Sequence, residues 1–249
     1  MVGVMNVSVW YSRLGMRGRR IFGGLVPYGQ VWRTGANEPT SISFSDQAKL
    51  EGHDVPAGTY SLYTMPGEEE WTIIINKKTA GFARHDEKED LVRFKVKPTQ
   101  TSVPIETFTI NISDVSMNSA NVELAWENTL VKFRVEFDVD GKVMPAIRRA
   151  MENPFGDVAG MYHQSASYYF TTKKDMKVAL DWVNKSLEMN ESPYFVWRLK
   201  SQIQAGLKDY KGAIASAEIS KQKAQEAGNH QIVTSIEDAI TEWKALGER

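Results

Sequence analysis

The chain has 249 residues, of which 42% are hydrophobic and 24% are charged, and its formal net charge at pH 7 is −1. This length and composition favour a folded chain of two domains and exclude a low-complexity, disordered protein. A charge near zero gives no general attraction to nucleic acid, and the absence of cysteine excludes disulfides and thiolate metal sites. No apolar run reaches the roughly 18 residues that span a bilayer, so we expect a protein that does not cross a membrane.

Apolar and polar residues alternate over much of the stretch from 71 to 137, which is the period of a strand with one buried face. The clearest rows are LVRFKVK, TFTINIS, NVELAW and LVKFRVEFD, and earlier candidates are VMNVSVWY, TSISFS, TYSLYTM and EWTIIIN. The segment ENT at 127–129 predicts a tight hairpin that would bring Trp126 close to Val131. Eight or nine short antiparallel strands predict a jelly-roll-like β-sandwich over residues 1–141.

The period changes to that of a helix after residue 140. Apolar residues from Val143 to Met151 recur at i, i+3, i+4, i+7 and i+8 before the Asn-Pro pair at 153–154 ends the pattern. We assign residues 142–153 to a linking helix.

The remaining residues, 154–249, contain an internal repeat. KDMKVAL at 174–180 and KDYKGAI at 208–214 are offset by 34 residues, the period of tetratricopeptide repeats. The chain resembles that family here, with residues of the expected type at Trp197, Ser201, Tyr210 and Ala213. The resemblance implies a short all-α domain of helix hairpins, closed by a helix over HQIVTSIEDAITEWKAL. The whole chain is therefore predicted to be an α+β protein.

The segment VPYGQVWRTGANEPTSISF at 26–44 concentrates aromatic and polar residues, with Arg33 at its centre. One interpretation is an internal bridge from Arg33 to Glu38 or Glu127 that pins a loop, since a buried guanidinium needs a carboxylate or carbonyl partner. The other is a cleft in which aromatic rings stack on a sugar or peptide and polar groups orient it. The candidate ligand-binding residues are Tyr28, Trp32, Arg33, Asn37, Glu38 and Glu127.

A second candidate surface lies in NESPYFVWRLKS at 190–201. Tyr194 and Trp197 either line a groove for a peptide or protein partner, as helical repeats often do, or pack between neighbouring helices.

No residue is assigned a catalytic or metal-binding role, and no cofactor is predicted. The four histidines, among them His85, are scattered without metal-ligand spacing, which is typical of surface or capping positions. The chain contains no GxSxG, Walker loop or GxGxxG.

The first 150 residues or so resemble the family catalogued as domain of unknown function 2911. The resemblance is carried by YSR at 11–13 with GRRIFGGLVPYGQVWRTGANE, by AGTYSLYTMPGEEEWTIIIN, and by LAWENT. The family has no established activity, and its bacterial members often carry export signals, which implies a periplasmic or secreted location.

Together these observations predict a non-enzymatic, extracytoplasmic binding or protein-interaction protein. Its helical domain would bind a protein or peptide partner, and its β domain a glycan or peptide. The alternatives are an enzyme acting on carbohydrate or peptide, using Glu38 or Glu127 with Arg33, and a structural role in an envelope assembly.

Overall fold

A computed structural model of the chain describes residues 5–79 and 85–247. The chain divides into two compact units, residues 1–143 and 144–249. The described part of the first unit contains nine strands: β1 (Val7–Trp10), β2 (Thr40–Phe44), β3 (Ala48–Leu50), β4 (His53–Val55), β5 (Gly58–Met65), β6 (Trp71–Asn76), β7 (Asp90–Val96), β8 (Thr99–Ser113) and β9 (Ser119–Phe137).

The strands form two antiparallel sheets. The five-stranded sheet has the order β1-β2-β5-β6-β7, and the four-stranded sheet has the order β4-β3-β9-β8. With the helices described below, this confirms the prediction of an α+β protein with antiparallel sheets.

One face of the five-stranded sheet, its inner face, carries the core. Thr40, Leu62 and Ile75 stand in register across β2, β5 and β6, and all three side chains are buried. Phe94 belongs to the same face, and its ring lies 5.6 Å from the Phe133 ring of the four-stranded sheet. The period-2 rows in the sequence are thus the inward-facing residues of these strands.

The predicted hairpin at 127–129 is wrong. β9 runs without interruption from Ser119 to Phe137, and β8 pairs with it on both sides of Glu127. Glu127 adopts a φ of 54°, and the register shifts opposite it, between Gln100 and Thr109. The strand therefore absorbs an irregularity at Glu127 instead of reversing direction.

The sequence pattern missed several strand segments. β3 and β4 have three residues each, too few to show a period, and the first half of β8 reads TQTSVPIE, without an apolar alternation. Pairing with neighbouring strands, and not a local sequence pattern, makes the short segments β-strands, since β3 pairs with both β4 and β9.

Six α-helices lie in the described residues: α1 (Val139–Glu152), α2 (Val158–Thr171), α3 (Met176–Met189), α4 (Tyr194–Gly206), α5 (Tyr210–Glu226) and α6 (His230–Gly247). The division between the two units falls inside α1. No helix in the described ranges is long and apolar enough to span a bilayer.

Two buried serines of the helical unit, 34 residues apart, make similar hydrogen bonds between helices. The Ser186 hydroxyl of α3 donates to the carbonyl of Ala159 in α2 at 2.8 Å, and the Ser220 hydroxyl of α5 donates to that of Tyr194 in α4 at 2.8 Å. Two buried clusters fill the interior, one centred on Val183 and Ile203 and the other including Trp243. The 34-residue spacing thus positions equivalent serines in successive helix pairs.

Candidate functional site

The segment around Arg33 is a turn fixed by hydrogen bonds to β5 and β2. Trp32 exchanges two backbone hydrogen bonds with Thr64, at 2.7 and 3.0 Å. Thr40 donates its backbone N–H to the carbonyl of Arg33 at 3.0 Å and its hydroxyl to that of Thr34 at 2.6 Å. Thr34 is fully buried and Asn37 is exposed, and both have positive φ, 55° and 62°. We call residues 33–40 the Arg33 turn.

Three of the predicted ligand-binding residues lie together on the exposed surface of this turn. They are Arg33, Asn37 and Glu38. The Arg33 guanidinium donates to the carbonyl of Asn37. Within the described ranges it forms no ion pair with Glu38 or Glu127, so the internal bridge considered from the sequence is not present.

Trp32 belongs instead to the aromatic core. Its ring stacks on Trp126 at 5.9 Å and meets the edge of Phe108 at 5.2 Å, while its indole N–H donates to the carbonyl of Gly35 at 3.0 Å. This tryptophan therefore anchors the Arg33 turn from below, and its indole N–H is used within the chain.

Glu127 is also occupied within the chain. Its two carboxylate oxygens accept the backbone N–H groups of Ile21 and Phe22 at 3.4 and 3.2 Å. Tyr28 is half-buried over Gly23, where a Cβ would lie 2.7 Å from the Tyr28 ring. Gly23 also has a φ of 76°, so this close packing requires glycine. These contacts order the loop before the Arg33 turn.

A buried polar network, which the sequence analysis did not predict, lies beside the turn. The imidazole Nε2 of His85 lies 2.8 Å from an oxygen of Asp90, and both side chains are close to nine-tenths buried. Asp90 also accepts from the Asn76 amide at 2.7 Å and from the Arg93 Nε at 2.5 Å. The Tyr63 ring meets the edge of the His85 ring at 5.1 Å.

Electrostatics connect this network to the Arg33 turn. Burial raises the pKa of Tyr63; Arg33 opposes that shift and Asp90 adds to it. Burial would also raise the pKa of Asp90, but the hydrogen bonds from Asn76, Arg93 and His85 outweigh burial and leave this pKa below its ordinary value. Arg33 and Asp90 thus both influence the pKa of Tyr63, in opposite directions and less than burial does.

His85 was interpreted from sequence as a surface or capping histidine. Its partner Asp90 is five residues away, at the start of β7, and Asn76 joins them only because β6 and β7 are paired. No spacing in the sequence signals that arrangement. Within residues 5–79 and 85–247, no three acidic or histidine side chains are grouped closely enough to hold a metal ion.

The residues predicted for partner binding start α4. The Tyr194 hydroxyl accepts from the Asn229 amide at 3.0 Å, and the Trp197 indole donates to the carbonyl of Glu191 at 2.9 Å. Both side chains are half-buried. Phe195, between them, is 48% exposed, and its ring lies 5.1 Å from that of His163 in α2.

Lysine side chains cover part of the aromatic surface of the helical unit. Lys200 lies 5.2 Å from the centre of the Trp197 ring, and burial lowers the pKa of this lysine. Lys185 lies 5.7 Å from the centre of the Tyr162 ring. Each of these lysines thus lies over an aromatic ring, and Lys185 also forms an ion pair with Asp181 at 2.8 Å.

Comparisons with known proteins place the first unit in a family. Residues 1–135 match the model of a family described as "Protein of unknown function (DUF2911)". No curated protein matches the chain. Eight chains of known structure match, among them the solution structure of protein BPP2914 from Bordetella parapertussis. That protein is 14% identical, the match covers 41% of this chain and 88% of that one, and the TM-score is 0.37.

Proposed function

The chain belongs to the DUF2911 family, whose description names no activity, and from this premise we propose that it is a non-enzymatic binding protein. In this proposal the first unit is a jelly-roll-like β-sandwich over residues 1–141 and the second a tetratricopeptide-like domain over 154–249, joined by a helix at 142–153. Contact between the two sheets at Phe94 and Phe133 supports the sandwich. The equivalent serine hydrogen bonds of Ser186 and Ser220 support the repeat.

The function proposed for the helical unit is the binding of a protein or peptide partner. The observation that carries it is the aromatic surface around Phe195, which is 48% exposed between Tyr194 and Trp197. Exposed aromatic side chains that are held by neighbouring contacts present a large apolar area at low entropic cost, which is typical of binding hot spots. The Phe195 ring also contacts the rings of His163 and Tyr194, which favours a partner with an apolar or aromatic anchor.

The proposed location is periplasmic or secreted. Its support is the resemblance of the β unit to exported bacterial proteins. The alternative of an enzyme using Glu38 or Glu127 with Arg33 has less support, because Glu127 is engaged by backbone N–H groups.

A peptide-array screen on the full chain tests the proposal. We expect peptides with aromatic or aliphatic anchors to bind, and Phe195→Ala to weaken their binding about tenfold. Met189→Ala is the matched control, because Met189 is 56% exposed in the same unit and lies at the end of α3. Absence of binding to any peptide, or equal weakening by both variants, would refute a partner surface at Phe195.

A further inference from the structure

The outer face of the five-stranded sheet, opposite the core, is divided into a covered half and an open half. On the covered half, over β5 and β6, the Ser61 hydroxyl donates to the carbonyl of Lys78 at 2.8 Å, and the Asn76 amide donates to that of Asp86 at 2.9 Å. The described parts of the loop after β6, residues 77–79 and 85–89, therefore lie over this half. Ser61 and Asn76 are buried as a result.

The open half lies on β1 and β2 and consists of one aromatic ring and three hydroxyl side chains. Ser8 stands opposite Ser43, and Trp10 stands opposite Ser41. The Trp10 side chain is 84% exposed. We call Ser8, Trp10, Ser41 and Ser43 the open face; none of the four is charged.

The Arg33 turn lies beside the open face. The Ser12 hydroxyl, two residues beyond Trp10, donates to the carbonyl of Ala36 at 2.9 Å. Thr40, which precedes Ser41, bonds the carbonyls of Arg33 and Thr34. These contacts hold the backbone of the Arg33 turn at the start of β2, where Ser41 follows Thr40. The Arg33 side chain is exposed there, with no carboxylate ion-paired to it among the described residues.

The covered half lies directly beside the open half in the same sheet. Row by row across the sheet, Trp10 and Ser41 are followed by Ser61 and then Asn76, which lie beneath the loop. A ligand on the open face would thus contact a flat aromatic ring, the exposed Ser8 and the half-buried Ser41 and Ser43, with Arg33 exposed on the adjoining turn.

We propose that the open face with the Arg33 turn is a binding site for an acidic oligosaccharide, a chain of uronic acid units. A pyranose ring has a flat face of C–H groups that packs on an indole, and its hydroxyls exchange hydrogen bonds with serine hydroxyls. Its carboxylate forms a charge-assisted hydrogen bond with the Arg33 guanidinium. The open face carries hydroxyl groups and no carboxylate. Hydroxyl groups can bind a sugar, whereas a positively charged polymer would need carboxylates as partners.

This inference is independent of the function proposed for the helical unit. It concerns a different unit and a different class of ligand, and Phe195 has no role in it.

The test is calorimetric titration of the full chain with hexamers of galacturonate, glucuronate and mannuronate, and with a neutral cellohexaose, at low and at physiological salt. We expect at least one uronate hexamer to bind more tightly than cellohexaose, and its affinity to fall as salt rises. Trp10→Ala is expected to weaken that binding about tenfold, and Arg33→Gln to weaken it by a similar factor while removing most of the salt dependence.

Phe155→Ala is the matched control, because Phe155 is 95% exposed and lies outside the first unit. It should leave uronate binding unchanged, and thermal unfolding should show that all variants are folded. The inference is overturned if no uronate hexamer binds, if cellohexaose binds as tightly, or if Trp10→Ala binds as well as the parent. Binding of apolar peptides that Trp10→Ala abolishes would identify the face as a peptide site and would also overturn it.

Discussion

Among single residues, Glu127 stabilises the fold through its carboxylate, although its position in the polar segment ENT made it a candidate for ligand binding. Its backbone has a φ of 54° within β9, and its carboxylate accepts from two adjacent backbone N–H groups. Ile21 and Phe22, which donate those N–H groups, are buried in the core. The side chain therefore satisfies two backbone donors that would otherwise have no partner where the loop enters the core.

Replacing Glu127 by alanine should consequently lower the free energy of unfolding. We expect a loss of about 1 to 3 kcal/mol for Glu127→Ala, since two buried donors lose a charged acceptor. Glu38→Ala, which removes an exposed carboxylate from the same neighbourhood, should change stability by less than about 0.5 kcal/mol. Urea denaturation followed by tryptophan fluorescence measures both, and equal effects would contradict the structural role of Glu127.

The buried carboxylate of Asp90 contributes to the response of the β unit to acid. Its pKa is lowered in the folded chain, so the carboxylate stabilises the fold above the pKa of the unfolded chain, about 3.9. That contribution is lost as the pH falls through the lower, folded pKa. Asp90→Asn should therefore be less stable than the parent at pH 7, and the difference should narrow below about pH 4.

Urea midpoints between pH 7 and pH 3 provide the measurement. Asp181→Asn is the control, because Asp181 forms an exposed pair with Lys185 and should show little change at any pH. A parent–Asp90→Asn difference that stays constant over this range would show that the carboxylate charge does not stabilise the fold.

At the scale of elements, the helix termini follow the same 34-residue spacing as the buried serines. Asp175 accepts the backbone N–H groups of Lys177 and Val178 at the start of α3. Asp209, 34 residues later, accepts that of Gly212 at the start of α5. Each aspartate satisfies N–H groups that have no partner within the helix.

Loss of either cap should cost a similar free energy. We expect about 1 kcal/mol for Asp175→Ala and for Asp209→Ala, measured by urea denaturation followed by circular dichroism at 222 nm. Asp238→Ala lies within α6 and removes an exposed carboxylate that caps no helix. If it destabilises the chain as much as the cap variants do, the capping explanation fails.

At the scale of the whole molecule, the two compact units carry candidate surfaces of different chemistry. The β unit presents Trp10, serine hydroxyls and Arg33, whereas the helical unit presents Phe195 beside other aromatic rings. The near-zero net charge gives neither class of ligand a general electrostatic advantage. Selection between ligands then depends on these local contacts.

This separation predicts that the two variants affect different ligands. Trp10→Ala should weaken uronate binding about tenfold and leave peptide binding unchanged, and Phe195→Ala should weaken peptide binding about tenfold and leave uronate binding unchanged. Titrating both variants and the double variant with both ligands checks this, since sites that share no residue or partner are expected to act additively. Loss of both ligands in either single variant would mean that one surface serves both.

Sequence periodicity identified the elements that have one buried face and enough residues to show a period. β5, β6, β7 and the core rows of β9 were visible as apolar alternation, and the helix pairs were visible as a 34-residue repeat. β3 and β4 were missed because three residues show no period. The hairpin at Glu127 was predicted wrongly. The polar residues ENT are compatible with a turn and also with a bulge inside a strand, and here β8 pairs with β9 on both sides of the bulge.

Sequence patterns were sufficient to predict the antiparallel sheets, the change to helix after residue 140 and a polar segment around Arg33, because each depends on neighbouring residues or a fixed spacing. Which residues of that segment face solvent depends on packing between elements that are distant in the chain. Trp32 packs in the aromatic core and Glu127 binds backbone N–H groups, while Arg33 stays exposed. The pairing of β6 with β7 also brings Asn76 to Asp90, which contacts His85, and the fold leaves Trp10 exposed on β1. No local pattern in the sequence reveals either arrangement.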